Sequence, residues 1–251
     1  MENRNQILTI WGSPDAGKTT LSIKIAKELQ TRKRSVAVIL CDNETPTLPI
    51  LMPNKKMERH SLGELLSKPR ISQSEILKCS TPFGNNANIG LLGYCIDESP
   101  LSYPEYPTST AKALISTLAC LVDDVIIDCS SDLLENQLSI VALEAANVTL
   151  RVVNANLKST VYMRSQRPLL SDPRFRFDQQ IVVLNNILPE QDENAHSFII
   201  GKADYVLPHC PAISEQFETG NLSEPAFGRE SRHFNPVLKQ LVKDVISDAE
   251  H

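Results

Sequence analysis

Nowhere does the sequence carry the ~18–20 consecutive apolar residues that a membrane-spanning helix needs, and the opening Met1-Glu2-Asn3-Arg4-Asn5 lacks the apolar stretch of a secretory signal. The cytoplasm is therefore the expected compartment. Cysteine pairs are missing as well. The six cysteines, Cys41, Cys79, Cys95, Cys120, Cys129 and Cys210, include no Cys-x-x-Cys pair and have no histidine at metal-ligand spacing, which argues against a disulfide framework and against a zinc site. Most are expected to be buried as small apolar residues. Basic charge is not in excess: Lys plus Arg total 25 against 30 for Asp plus Glu, a net charge of −5, so the molecule as a whole does not advertise nucleic acid binding. Repeats, low-complexity linkers and sharp composition breaks are also lacking, and residues 1–251 read as one domain.

What is present is an ordinary globular composition, 41% hydrophobic and 22% charged over 251 residues. Apolar runs at 7–11, 36–40, 89–95, 125–128, 148–153, 180–184 and 205–207 read as strands. Helical spacing over 108–122, 135–146 and 157–170 alternates with them. The expected fold is α/β, a doubly wound, mostly parallel sheet with helices on both faces. Residues 45–106 carry the weakest pattern, with short helices near 62–66 and 72–78.

The strongest motif is Gly12-Ser13-Pro14-Asp15-Ala16-Gly17-Lys18-Thr19, which fits G-x-x-x-x-G-K-[ST] between an apolar strand and an amphipathic helix. A loop of this kind turns backbone N–H groups toward phosphate oxygens, and the following helix start adds partial positive charge. Lys18 is expected on the β- and γ-phosphates, Thr19 on Mg²⁺ and Thr20 near the α-phosphate. Asp128, ending the apolar run Val125-Ile126-Ile127, supplies the metal-supporting carboxylate. Asp42 ends the second strand where open α/β sheets place ligands, and is assigned to orienting water or holding a metal-bound water. Asp123 and Asp124 are read as a solvated turn.

Together these segments resemble the ParA/MinD family of P-loop ATPases over nearly the whole chain. The resemblance rests on Gly12–Thr20, on Asp42-Asn43-Glu44, on Ile126-Ile127-Asp128-Cys129-Ser130-Ser131, on Val182-Val183-Leu184-Asn185-Asn186, and on Leu207-Pro208 through Ile213, Glu215 and Gly220. It implies ATP or ADP with Mg²⁺ as the bound species, Lys18 and Asp42 as catalytic residues, and Thr19, Asp42 and Asp128 as the metal set. Asn185 would contact the base, with Pro208 beside it. It further implies a nucleotide-dependent homodimer that positions cargo such as DNA, pilus or secretion machinery through a protein partner.

The departures are informative. Ser13 stands where the family has its signature lysine, Pro14 and Asp15 replace two glycines, Leu40 replaces a carboxylate, and both prolines after Asp128 are serines. Asp15 adds negative charge beside phosphates unless a cation or partner faces it, and hydrolysis is expected to be slow or absent. Loss of the lysine is reminiscent of the TadZ/CpaE-like branch.

Two surfaces stand out. Arg151, Lys158, Arg164, Arg167, Arg174 and Arg176 form a basic segment, 151–176, read as a solvated face, a non-specific DNA-backbone contact or a contact for an acidic protein partner. Val237, Leu238, Leu241, Val242, Val245 and Ile246 form a helical stripe expected to dock on the core rather than on a membrane. His196, His209 and His233 form no triad. Two functional readings follow: a nucleotide switch with slow Mg-dependent ATP hydrolysis, or a non-hydrolysing nucleotide-binding scaffold that recruits protein partners.

Overall fold

The computed structural model describes residues 5–53, 60–84, 88–195 and 197–248; His196 lies outside them. Eight strands form one sheet: β1 (Gln6–Gly12), β2 (Val36–Leu40), β3 (Thr81–Pro82), β4 (Ile89–Leu92), β5 (Asp124–Asp128), β6 (Val148–Val153), β7 (Ile181–Ile187) and β8 (Tyr205–Pro208). Their spatial order is β3-β4-β2-β5-β1-β6-β7-β8, and every pairing is parallel except β3 with β4. The helices are α1 (Lys18–Thr31), α2 (Leu48–Leu51), α3 (Leu62–Leu66), α4 (Gln73–Cys79), α5 (Thr108–Ala119), α6 (Gln137–Ala145), α7 (Leu157–Leu170), α8 (Ser197–Ile200), α9 (Pro211–Glu218) and α10 (Ser231–Asp248). This is the doubly wound α/β architecture expected from the sequence.

All five residues of β2 and of β5 are buried, as strands covered on both faces must be. One core lies between the sheet and the α3–α7 side, including Trp11, Ile127 and Val153. The other lies under α1 and α10 and takes in Ile10, Ile126 and Val152. Alternation along β1, β5 and β6 divides their side chains between the two faces. The last helix docks as expected: Phe234, Leu238, Leu241, Val242 and Val245 are buried in the second core. Among the described residues no helix is long and apolar enough to cross a membrane.

Asp123 and Asp124 correct the sequence reading. Pairing of β2 with β5 brings Arg34 and Ser35 against them. Arg34 grips the buried Asp124 carboxylate in a bidentate ion pair, Nε to Oδ2 at 2.5 Å and Nη2 to Oδ1 at 2.9 Å. Ser35 donates through N and Oγ to Asp123 Oδ2 at 2.7 and 2.8 Å. A solvated turn is thus a pinned strand start. Five cysteines are buried and Cys120 is exposed.

Candidate functional site

β1 lies in the middle of the sheet, with β5 on one side and β6 on the other, so the loop leaving its C-terminal end enters the crevice at the switch point. Two glycines shape that loop. Gly12 passes so close to β6 that a Cβ there would lie 1.8 Å from Val152 O. Gly17 caps α1 in the left-handed region at φ 83°, and a Cβ would lie 2.5 Å from Asn185 Nδ2. Helix α1 then begins at Lys18, and its N-terminus faces a cavity of about 870 Å³.

Pro14, Asp15, Ala16, Gly17, Lys18, Thr19 and Thr20 line this cavity together with Asp42, Asn185 and Pro208. Gly12 and Ser13 stand behind its wall: the Ser13 side chain is fully buried, its hydroxyl 2.5 Å from that of Ser159. Lys18 Nζ donates to Ser131 Oγ at 2.6 Å and to Ser13 O at 3.2 Å. Burial pulls the Lys18 ammonium below its ordinary value, and the Asp128 charge opposes that most strongly. Ser131, read in the sequence only as a lost proline, therefore helps place the lysine; Tyr162 Oη fixes it in turn through Ser131 O at 2.6 Å.

Asp128 sits at the end of β5, level with Ile10 of β1 and Leu40 of β2. Its Oδ2 accepts from Thr19 Oγ1 at 2.5 Å, while Oδ1 is buried with no partner among the described residues. Burial pushes its pKa up to about 6, with the Thr19 hydroxyl and the Lys18 charge pulling the other way. A buried carboxylate oxygen without a donor is an oxygen waiting for a cation or its water. No group of three His, Cys, Asp or Glu side chains able to hold a metal occurs among the described residues. Thr19 and Asp128 therefore suit Mg²⁺, which takes one or two protein groups and fills its shell with phosphate oxygens and water. Cys129 next door is buried and its thiol is pushed up to about 12, which leaves it inert.

Asp42 reaches the cavity from the end of β2, and its Oδ1 caps the following turn by accepting from Glu44 N at 3.0 Å and Thr45 N at 2.8 Å. Asn185 ends the run of four buried residues in β7, lines the cavity and donates Nδ2 to Ala16 O at 2.7 Å. Beyond it the wall is apolar, formed by Cys210, Ile213 and Phe217 around α9. The sequence pattern named this segment without resolving the helix. Behind it, the buried Lys24 of α1 donates to Gln216 Oε1 at 2.6 Å and to Leu222 O and Glu224 O, each at 3.0 Å. Burial lowers the Lys24 pKa to about 8.

The basic segment is largely spent on the protein itself. Arg151 is buried with its guanidinium 4.1 Å over the Phe177 ring. Lys158 pairs with Asp15 at 2.5 Å, Arg174 pairs with Glu144 and Asp172, and Arg176 donates to Ala146 O. Arg164 and Arg167 are exposed on α7. His209 Nδ1 lies 2.6 Å from Asn186 Oδ1.

No family model matches the chain, and no curated protein matches it. Solved structures do. A ParA family ATPase from Chlorobium tepidum TLS superposes with a TM-score of 0.74 at 14% identity, covering 96% of this chain and 99% of that one. The MinD cell division protein of Aquifex aeolicus gives 0.71 at 17%, covering 96% and 97%. The septum site-determining protein MinD of Pyrococcus horikoshii OT3, solved with Mg-ADP, gives 0.66 at 16%, covering 96% of both chains. The chain shares the fold of these ParA and MinD structures over 96% of its length.

Proposed function

We infer that this chain is a ParA/MinD-like ATP-binding protein, a nucleotide-dependent switch that positions or partitions cargo through a protein partner. One observation carries the reading: Lys18, Thr19, Asp42 and Asn185 converge on a single cavity at the C-terminal ends of β1, β2 and β7, with the orphaned Asp128 oxygen directly behind Thr19. Lys18 and the start of α1 neutralise phosphate charge. Thr19 and Asp128 would hold Mg²⁺, which would supply positive charge to offset the phosphates. Asn185 and Pro208 would border the base, with Phe217 on the wall beyond them. Asp42 orients water, so that hydrolysis rests on positioning and charge neutralisation. The Mg-ADP carried by the Pyrococcus horikoshii relative supports this choice of ligand.

Exposed apolar side chains on α7, Leu157 and Val161, together with Leu134 before α6, suit a partner or a second copy. A DNA-backbone contact through 151–176 draws little support, because four of the six basic residues, Arg151, Lys158, Arg174 and Arg176, are engaged with other parts of the protein. A second reading, the non-hydrolysing scaffold, is favoured by one observation: Ser13 is locked to Ser159, so no cation on the loop can reach another molecule from that position.

Light scattering of the protein alone, with Mg-ADP and with Mg-ATP separates the two. A mass that doubles only with Mg-ATP supports the switch. A mass independent of nucleotide, with binding retained, supports the scaffold.

A further inference from the structure

This inference rests on the nucleotide reading and concerns how the phosphate loop tolerates its own carboxylate. Asp15 is the one acid within Gly12–Thr20. It lines the cavity from a left-handed backbone position at φ 59°, and its side chain is 80% exposed. Phosphates entering the same cavity carry like charge, and an isolated Asp15 would repel them.

Asp15 is not isolated. Lys158 Nζ stands 2.5 Å from its Oδ2, and Asn154 Nδ2 donates to its backbone oxygen at 3.1 Å. Ser159, next to Lys158, meets Ser13 hydroxyl to hydroxyl at 2.5 Å in a buried contact. The segment 154–159 thus holds the loop at the Ser13 side chain and at both the backbone and the side chain of Asp15. That segment is itself fixed: Asn156 Oδ1 caps α7 by accepting from Ser159 N at 2.8 Å, and Ser159 Oγ accepts from Asn154 N at 3.1 Å.

We propose that Lys158 is a positioning residue for the phosphate site, acting within the same chain through Asp15. It cancels the loop carboxylate and keeps the loop in its binding shape. Where two glycines gave way to Pro14 and Asp15, the loop draws its compensating charge from the start of α7.

A double-mutant cycle on the full chain, titrating Mg-ATP by calorimetry at low salt, tests this. Lys158→Ala is expected to weaken binding about tenfold and Lys158→Arg to restore it, since the charge is what acts. In an Asp15→Asn background, Lys158→Ala should change affinity less than about twofold. An exposed pair contributes little to stability, so the melting temperature should not move. Unchanged affinity in Lys158→Ala overturns the proposal. So does an equal loss in the Asp15→Asn background, which would mean that Lys158 touches the phosphates itself.

Amide exchange of Ser13, Asp15, Ala16 and Gly17 without nucleotide gives a separate readout. Faster exchange in Lys158→Ala supports the brace and unchanged exchange overturns it, even if the wild-type chain binds no nucleotide. That last result would sink the nucleotide reading alone.

Discussion

Thr19 Oγ1 and Asp128 Oδ2 meet at 2.5 Å across the gap between the first turn of α1 and the end of β5, and the second oxygen of Asp128 is buried beside them with no described donor. Burial pushes that carboxylate up to about 6. Asp128→Asn is expected to stabilise the Mg-free chain at pH 7.5 by about 1–2 kcal/mol, read by urea unfolding, because a buried charge disappears. The same variant should lose the Mg²⁺ dependence of ATP binding. A variant that is destabilised and still responds to Mg²⁺ would remove Asp128 from the metal site.

Lys18 is held over the loop by Ser131 and the carbonyl of Ser13. Lys18→Ala should weaken Mg-ATP binding by about 100-fold or more, a loss of ~2.7 kcal/mol or greater, while the fold persists. Calorimetric titration checks this, and an affinity within threefold of wild type would remove the phosphate role.

Asp42 caps a turn and is proposed to orient water, and a pair of variants separates the two. Its Oδ1 caps the turn at Glu44 and Thr45, which an asparagine oxygen can also do. Asp42→Asn and Asp42→Ala should both bind ATP and turn it over at least about tenfold more slowly, as loss of water positioning requires. If Asp42→Asn turns over normally and only Asp42→Ala fails, the residue serves the turn and not the water.

At Gly17 the positive φ and the nearby Asn185 amide act together. Gly17→Ala is expected to cost about 1–3 kcal/mol in urea unfolding, from the left-handed backbone and the 2.5 Å approach to Asn185 Nδ2. Adding Asn185→Ala should recover the steric part and leave about 1 kcal/mol, the conformational part. Full recovery would show that the backbone position is unstrained.

Lys24 gives a pH dependence. Its pKa is lowered to about 8 from an ordinary 10.5, so below pH 8 both folded and unfolded chains carry the proton. Between about 8 and 10.5 the unfolded chain binds the proton and the folded chain releases it, and this group's contribution to stability rises with pH. Lys24→Met should remove that slope: the difference in melting temperature between wild type and variant should shift in favour of wild type from pH 8 to 10. A constant difference would mean that the three acceptors keep Lys24 fully protonated.

The long parallel strands were legible because their burial on both faces writes continuous apolar runs, as in 36–40 and 148–153. The P-loop was legible because its residues are contiguous in the sequence. Thr19, Asp42, Asp128, Asn185 and Pro208 were placed by lying at strand or helix ends, which the sheet brings to one rim. Two-residue β3 leaves no periodicity to read, and its partner β4 stops at Leu92 although the apolar residues run on to Cys95.

What the sequence could not state were pairings between distant segments. Arg34 with Asp124, Lys158 with Asp15 and Lys24 with the 216–224 segment join residues far apart in the chain. The first turned a supposed surface turn into a buried ion pair. The second turned part of a supposed basic face into a contact of the phosphate loop. Lys24 carried a faint signal, a lysine between Ile23 and Ile25 on the covered side of a helix.

The sheet ends in two short borders. β3 is two residues long and includes Pro82, and β8 is four residues long and closes with Pro208. Neither offers a long row of free backbone donors, and proline removes one donor from each. Growth by strand addition is therefore blocked on both flanks, which protects a crowded population of this chain from amyloid-like stacking.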